Sequence, residues 1–294
     1  MTRSAYVFAQ AKINLYLRVL AREASGYHAI ETIFQRLDFG DDLTVRLAPG
    51  RSLECRGASV PAEGLGPVEK NLAYRAAVAY VEATGWTTGF AIEIEKRIPV
   101  GGGMGGGSAD AGAVLRALDA LAPNPLGPRL IEIAAALGAD VPFMTIESPL
   151  ALAWGRGERM LPLAPLPPRS VILIAPGFSV ATAEAYGWVA GDRGTYAPEA
   201  ALLDPSRLGT WDGVAELATN DFERVVARKH PRIAELVDEL AAAGASPAMM
   251  SGSGSTLFGV FAESPDAAAI ARATGASPIL TKTSNRVERV ALDG

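Results

Sequence analysis

The sequence predicts an α+β protein of two domains, and three observations carry that expectation. Residues 5–20 alternate polar and apolar, the period of a strand in a sheet. Helical patterns with recognisable ends occur in both halves of the chain, interleaved with further strand patterns. Between the halves, residues 161–170 read LPLAPLPPRS, a proline-rich stretch suited to a boundary, and 294 residues suffice for two domains of ordinary size. The expected division is 1–164 and 165–294.

The first strand places Lys12, Asn14, Tyr16 and Arg18 on one face and Ile13, Leu15, Leu17 and Val19 on the other. Strand geometry alone expects the polar face to meet solvent. ASGYHAI (24–30) reads as a turn, and residues 31–48 continue as strand with a break at Gly40-Asp41-Asp42. Residues 71–85 form a helix capped by Asn71 and closed by Gly85. GFAIEIEKRIPV (89–100) alternates again, with Ile92, Ile94 and Lys96 marking a strand. Residues 108–123 are a helix that Ser108 can cap, with Asp110 in its first turn and Val114, Leu115, Leu118 and Leu121 as its apolar stripe. A second helix ends at Gly138. Beyond the boundary, VILIAP (171–176) is a buried strand and residues 220–245 are two helices joined at Pro231. AMMSGSGSTLFGVF (248–261) is a strand pair around a Gly/Ser loop, and a last helix ends at Gly275.

Composition removes several function classes. A net charge of −5 gives no general affinity for nucleic acid or an anionic membrane. One cysteine, Cys55, fits a reducing compartment, and two distant histidines, His28 and His230, argue against a Cys/His zinc site. The apolar N-terminal stretch is broken by Lys12 and Asn14 and has no cleavage signature, so a cytoplasmic location is expected.

The most informative segment is PVGGGMGGGSAD (99–110), with six glycines in seven positions. A linker would lie between structureless flanks, whereas this run lies between a strand and a helix. A tight turn needs one or two glycines. A phosphate cradle remains, in which bare N–H groups and a helix N-terminus converge on anionic oxygens. The run lacks the Gly-Lys-Ser/Thr ending of a Walker A loop, and the acid that should follow a dinucleotide fingerprint is replaced by helix.

KRIPVGGGMGGGSAD closely resembles the phosphate loop of the GHMP kinases, the superfamily of galactokinase, homoserine kinase and mevalonate kinase. AKINLYLRV, GYHAIETIFQRLDFGDDL, KNLAYRAA, LGADVPFM, PGFSVATAEAY, NDFE and MSGSGSTLFGVF extend the resemblance over nearly the whole chain. Met104 stands where leucine is usual, and SAD where many relatives carry SSN. The resemblance implies a two-domain GHMP kinase fold with a cleft between the domains. It also implies ATP as phosphoryl donor, Mg2+, and a small-molecule acceptor carrying a cytidine diphosphate, phosphorylated on its 2-hydroxyl in the non-mevalonate route to isoprenoid precursors.

It further implies roles for individual residues. The ATP site comprises Pro99, Val100, Gly101, Gly102, Gly103, Met104, Gly105, Gly106, Gly107, Ser108 and Ala109, with Lys96 as a further nucleotide contact. Ser108 suits either a helix cap or a Mg2+ ligand. Asp140, which local sequence alone would read as a turn former, becomes the group that accepts the acceptor's hydroxyl proton. Lys12 becomes its cationic partner. Asn14, Tyr27, His28 and Tyr186 are implied as acceptor contacts, the aromatic rings stacking on cytosine. The loop Ser251–Thr256 suits either a tight turn or a set of diphosphate donors. Homoserine- or mevalonate-type GHMP kinases and a non-catalytic nucleotide sensor are the alternatives, with a dinucleotide-dependent oxidoreductase more distant.

Overall fold

Two long antiparallel strands, β1 (Ser4–Arg22) and β2 (His28–Ala48), form the spine of the molecule. The computed structural model describes residues 3–22, 28–192, 204 and 206–293. The N-terminal half adds β3 (Arg51–Arg56), α1 (Leu72–Thr84), β4 (Gly89–Glu95), α2 (Gly106–Leu121), α3 (Leu130–Leu137), α4 (Val141–Thr145), β5 (Leu150–Gly155) and β6 (Arg159–Pro162). The C-terminal half adds β7 (Ser170–Ile174), α5 (Thr182–Asp192), α6 (Trp211–Leu217), β8 (Thr219–Asn220), α7 (Asp221–Lys229), α8 (Arg232–Ala242), β9 (Ala248–Met250), β10 (Leu257–Phe261), α9 (Ala267–Thr274), β11 (Ile279–Lys282) and β12 (Ala291–Asp293).

In the first sheet β2 changes partner along its length: Ile30–Gln35 pair with β5, and Asp42–Ala48 pair with β4. The second sheet, in the order β11-β7-β10-β9, starts just past the proline-rich segment. The C-terminal half also contributes to the first sheet, where β8 and β12 both pair with β1. Helix α2 packs on β1, β2, α1 and α4 and buries the expected stripe of Val114, Leu115, Leu118 and Leu121. A second apolar cluster joins Ile172 and Ile174 of β7 to α5, α7 and α8. Among the described residues, no helix is long and apolar enough to cross a membrane.

The expected ends of α1 are observed: the Asn71 side chain accepts from Ala73 N at 2.9 Å, and Gly85 closes the helix at φ 65°. Helices α7 and α8 meet at His230-Pro231, as expected. Three local expectations are corrected. Strand β2 runs through Gly40-Asp41-Asp42 without a break, opposite a register shift between Gln10 and Lys12. Gly40 is there for close approach, since a Cβ would lie 2.3 Å from the Ala9 carbonyl oxygen. Helix α2 begins at Gly106 rather than Ser108, with Gly105 at its cap in the left-handed region (φ 70°) and Asp110 past the first turn. The polar face of β1 is covered at Lys12 and Asn14 by the glycine run and the Gly252 loop, so both are buried rather than solvated.

These contacts set opposite expectations for two glycines. Gly40→Ala should destabilise the fold by about 1–3 kcal/mol, because backbone must move to admit the methyl. Gly187→Ala, inside α5 with nothing within 4 Å of the new methyl, should stabilise by about 0.5–1 kcal/mol. Urea unfolding of the two variants checks both signs.

Candidate active site

The glycine run leaves β4 through Lys96, Arg97 and Ile98, and this entry is fixed by one carboxylate of β2. Asp41 Oδ1 accepts from Arg97 N at 2.5 Å and Ile98 N at 2.8 Å, while Oδ2 meets Lys96 Nζ. Lys96 also donates to Asp110 Oδ2 of α2 at 2.7 Å. The lysine expected to contact nucleotide therefore lies in the wall of the cleft with its ammonium held between two buried acids. Burial works against that charge, but Asp110 and Asp41 hold the ammonium above the usual lysine range.

Within the run, Gly101, Gly103 and Gly105 adopt φ values of 74°, 77° and 70°, a left-handed conformation that side chains other than glycine rarely adopt. Met104 points the other way and is buried in the core, anchoring the loop. Gly102 and Gly103 face the second Gly/Ser loop. A Cβ on the first would sit 2.5 Å from Thr256 Oγ1, and on the second 2.2 Å from the Ser251 carbonyl oxygen. Thr256 N and Ser251 Oγ donate to the carbonyls of Gly102 and Gly103, each at 3.1 Å. The second loop is itself held by Asn220 Nδ2, which donates to the Met250 and Gly252 carbonyls at 2.7 and 2.8 Å. It is thus both a turn and a wall of the cleft, to which Gly252, Ser253 and Gly254 contribute.

Lys12 is 3% exposed, and its ammonium joins three elements. It donates to Asn14 Oδ1 at 2.7 Å and to the Gly103 carbonyl at 2.9 Å, and lies 3.4 Å from Asp140 Oδ2. Asn14 Nδ2 passes the chain on to Thr32 Oγ1 at 2.8 Å, which donates to the Tyr16 carbonyl. Asp140 flanks the start of α4 with no side-chain cap bond and is 28% exposed.

Lys12, Asn14 and Asp140 line a cavity of about 610 Å³ with Pro99 to Ser108, Asp110 and Tyr186. Ala109 lies buried in α2 behind the loop. Tyr186 also borders a neighbouring cavity of about 1040 Å³ lined by His28, Ala139, Arg156 and Glu158. There the His28 and Tyr186 rings stack, with centroids 4.8 Å apart and planes at 12°. Burial, with Asp140 adding to it, pushes the Tyr186 phenol up to about 12, so it stays neutral at pH 7. Tyr27 lies outside the described residues. His230 caps the end of α7 and stacks on Phe178 at 4.3 Å, away from these groups.

Sequence reasoning brought Lys12, Asn14, Asp140, Tyr186 and the run to one place, but missed Asp41 and Thr32. Asp41 was hidden by a Gly-Asp-Asp triplet that reads as a turn, and Thr32 by its position on an ordinary strand face.

Burial raises the Asp110 carboxyl to about 7, Lys96 opposing and Asp41 adding to the shift. An unfolded aspartate titrates near 4, so between about pH 4 and 7 the native chain holds a proton that the unfolded chain has lost. This group's contribution to stability therefore falls as pH rises through that window. Unfolding free energies at pH 5 and 7.5 should differ less in Asp110→Asn than in the parent chain. Equal differences in both proteins would contradict the assignment.

Comparison with known proteins identifies the family by sequence and by fold. The family models for the GHMP kinases N terminal domain and the GHMP kinases C terminal match residues 71–147 and 200–277. A 4-diphosphocytidyl-2-C-methyl-D-erythritol kinase from Solibacter usitatus is 41% identical over 266 residues, 88% of this chain and 82% of that protein. One from Citrifermentans bemidjiense is 40% identical over 276 residues, 92% of this chain and 95% of the relative. A crystal structure of a 4-(cytidine 5'-diphospho)-2C-methyl-D-erythritol kinase superposes with a TM-score of 0.77 at 36% identity, covering 95% of this chain and 99% of that one. A homoserine kinase from Cytophaga hutchinsonii shares the fold at a TM-score of 0.68 and 16% identity, over 99% of this chain and 97% of the other. With its glycine run, buried lysine and both domain models in place, the chain belongs to the GHMP kinases.

Proposed function

We propose that this kinase transfers the γ-phosphoryl group of ATP to the 2-hydroxyl of 4-diphosphocytidyl-2-C-methyl-D-erythritol, a step in the non-mevalonate route to isoprenoid precursors. The observation that carries the reading is the Lys12–Asp140 pair at 3.4 Å in the wall of the glycine-lined cavity, beside the His28–Tyr186 stack. Residues 1–164 hold the nucleotide, and residues 165–294 complete the acceptor cleft.

Phosphoryl transfer asks for a held anion, neutralised charge and an aligned hydroxyl. Backbone N–H groups of Gly101 to Gly107 and the N-terminus of α2 cradle the phosphates. Asp140 takes the hydroxyl proton as the acceptor oxygen forms its bond to the γ-phosphorus and the β–γ bridging bond breaks to release ADP. Lys12 stays beside Asp140 and offsets the negative charge gathering at the reacting oxygens. Asn14 lies on the same face, within reach of the acceptor. The stacked rings of His28 and Tyr186 suit a planar base, with Tyr27 assigned to the same pocket from the sequence. Among the described residues, no cluster of three or more His, Cys, Asp or Glu is placed to hold a metal ion. Ser108, in the wall of the cavity, would offer a protein oxygen to a Mg2+ ion, which would supply neutralisation of phosphate charge there.

ADP release from Mg-ATP should occur with the cytidine substrate and not with homoserine or mevalonate. Turnover with either of the latter alone would overturn the acceptor assignment. Asp140→Asn should lower kcat by about 10²–10⁴-fold while ATP binding persists, as expected for loss of a general base. Tyr186→Ala should raise KM for the cytidine substrate by about 2- to 10-fold, the equivalent of one ring-stacking contact.

A further inference from the structure

Among the described residues, Arg36 is the largest fully buried side chain, and no carboxylate pairs with it. Its guanidinium is spent on the chain at the end of α4. Nη2 donates to the Phe143 carbonyl at 2.7 Å and the Ile146 carbonyl at 3.1 Å, and Nε donates to Ser148 at 3.2 Å. The group also lies over the Phe143 ring, 5.0 Å from its centroid. Its backbone N–H adds a bond to the Pro149 carbonyl at 2.8 Å, so one residue of β2 grips residues 143–149 from both sides. Burial, with Arg116 adding to it, brings the guanidinium down to about 9, which leaves it cationic at pH 7.

A buried cation without a counter-ion is costly, and its setting here gives it a purpose. Two of the carbonyls it binds, those of Phe143 and Ile146, lie at the helix end, where carbonyls lack intrahelical partners and the helix dipole also favours positive charge. The other end of this five-residue helix is flanked by Asp140, whose side chain makes no cap bond. At about 1.5 Å per residue, only about 7 Å of helix separates the clamped end from the acid. The opposite side of α4 is seated on Gly112 of α2, where a Cβ would lie 2.6 Å from the Met144 carbonyl oxygen. Asp140 is thus placed by its helix, and the helix is placed by Arg36 and Gly112.

We propose that Arg36 is a positioning residue that sets the reach of Asp140 to the acceptor hydroxyl by clamping the far end of α4. The inference rests on Asp140 acting as the general base. Misplacing a reacting group by about 1 Å can cost on the order of 10²-fold in rate. Arg36→Met, which frees three carbonyls, should lower kcat by about 10- to 100-fold and leave KM for ATP and acceptor within about 2-fold. Arg36→Lys keeps the charge and should recover part of the loss; it carries the test if the methionine variant does not fold.

The decisive readout is a double-mutant cycle in the full-length chain, on whichever acceptor the parent enzyme turns over. Added to Asp140→Asn, Arg36→Lys should cause no further loss, because its effect passes through a group already removed. Losses that multiply, or an unchanged kcat per folded molecule in the single variant, would overturn the role of Arg36 while leaving the acceptor assignment untouched. If Asp140→Asn itself retains full turnover, the general-base reading fails, and this inference with it.

Discussion

The Lys12 ammonium is the contact on which the site depends. It is buried, and Asn14, the Gly103 carbonyl and Asp140 surround it with the polar partners that an ammonium taken out of water requires. Those partners come from a strand, the glycine run and the approach to α4, three segments with no other reason to meet at one atom. Removing the lysine would leave an acid and two polar groups without their shared donor. The cost of burying one charge is thus converted into fixed geometry, although replacing such networks by apolar residues is often neutral for stability.

The same economy of space explains the glycine run. A loop that only bound phosphate would need bare N–H groups on its ligand side. Here Gly102 and Gly103 also admit the Ser251–Thr256 loop against their other side, and Gly105 leaves room for the stem of Lys12 and the end of Met144. The run is a joint between the two halves of the molecule as well as a cradle. Its base is held by Asp41, Lys96 and Asp110, so the loop is preorganised by ionic contacts beneath it rather than by side chains of its own.

Much of this was legible in the sequence because it is local. Alternation marked β1, Asn71 and Gly85 marked α1, and the density of glycines marked the loop. Less was legible where distant segments decide. The polar face of β1 looks solvated until the glycine run is folded over it. Ser108 looks like a cap until Gly105, freed from side-chain constraints, starts the helix earlier. Gly40 looks like a turn because close approach to Ala9 is a property of the neighbouring strand. Arg36 looks like any polar strand residue, since the carbonyls it satisfies lie more than a hundred positions away. Asp140, Tyr186 and His28 were placed through family resemblance, and spacing alone would have passed over them.

The most direct test of the account is a crystal structure of the chain with a non-hydrolysable ATP analogue and the cytidine acceptor bound together. The expected result places the terminal phosphate against Gly101–Gly107, the base beside the His28 and Tyr186 rings, and the acceptor hydroxyl about 3 Å from Asp140. A hydroxyl held far from Asp140, or a phosphate chain bound away from the glycine run, would contradict it.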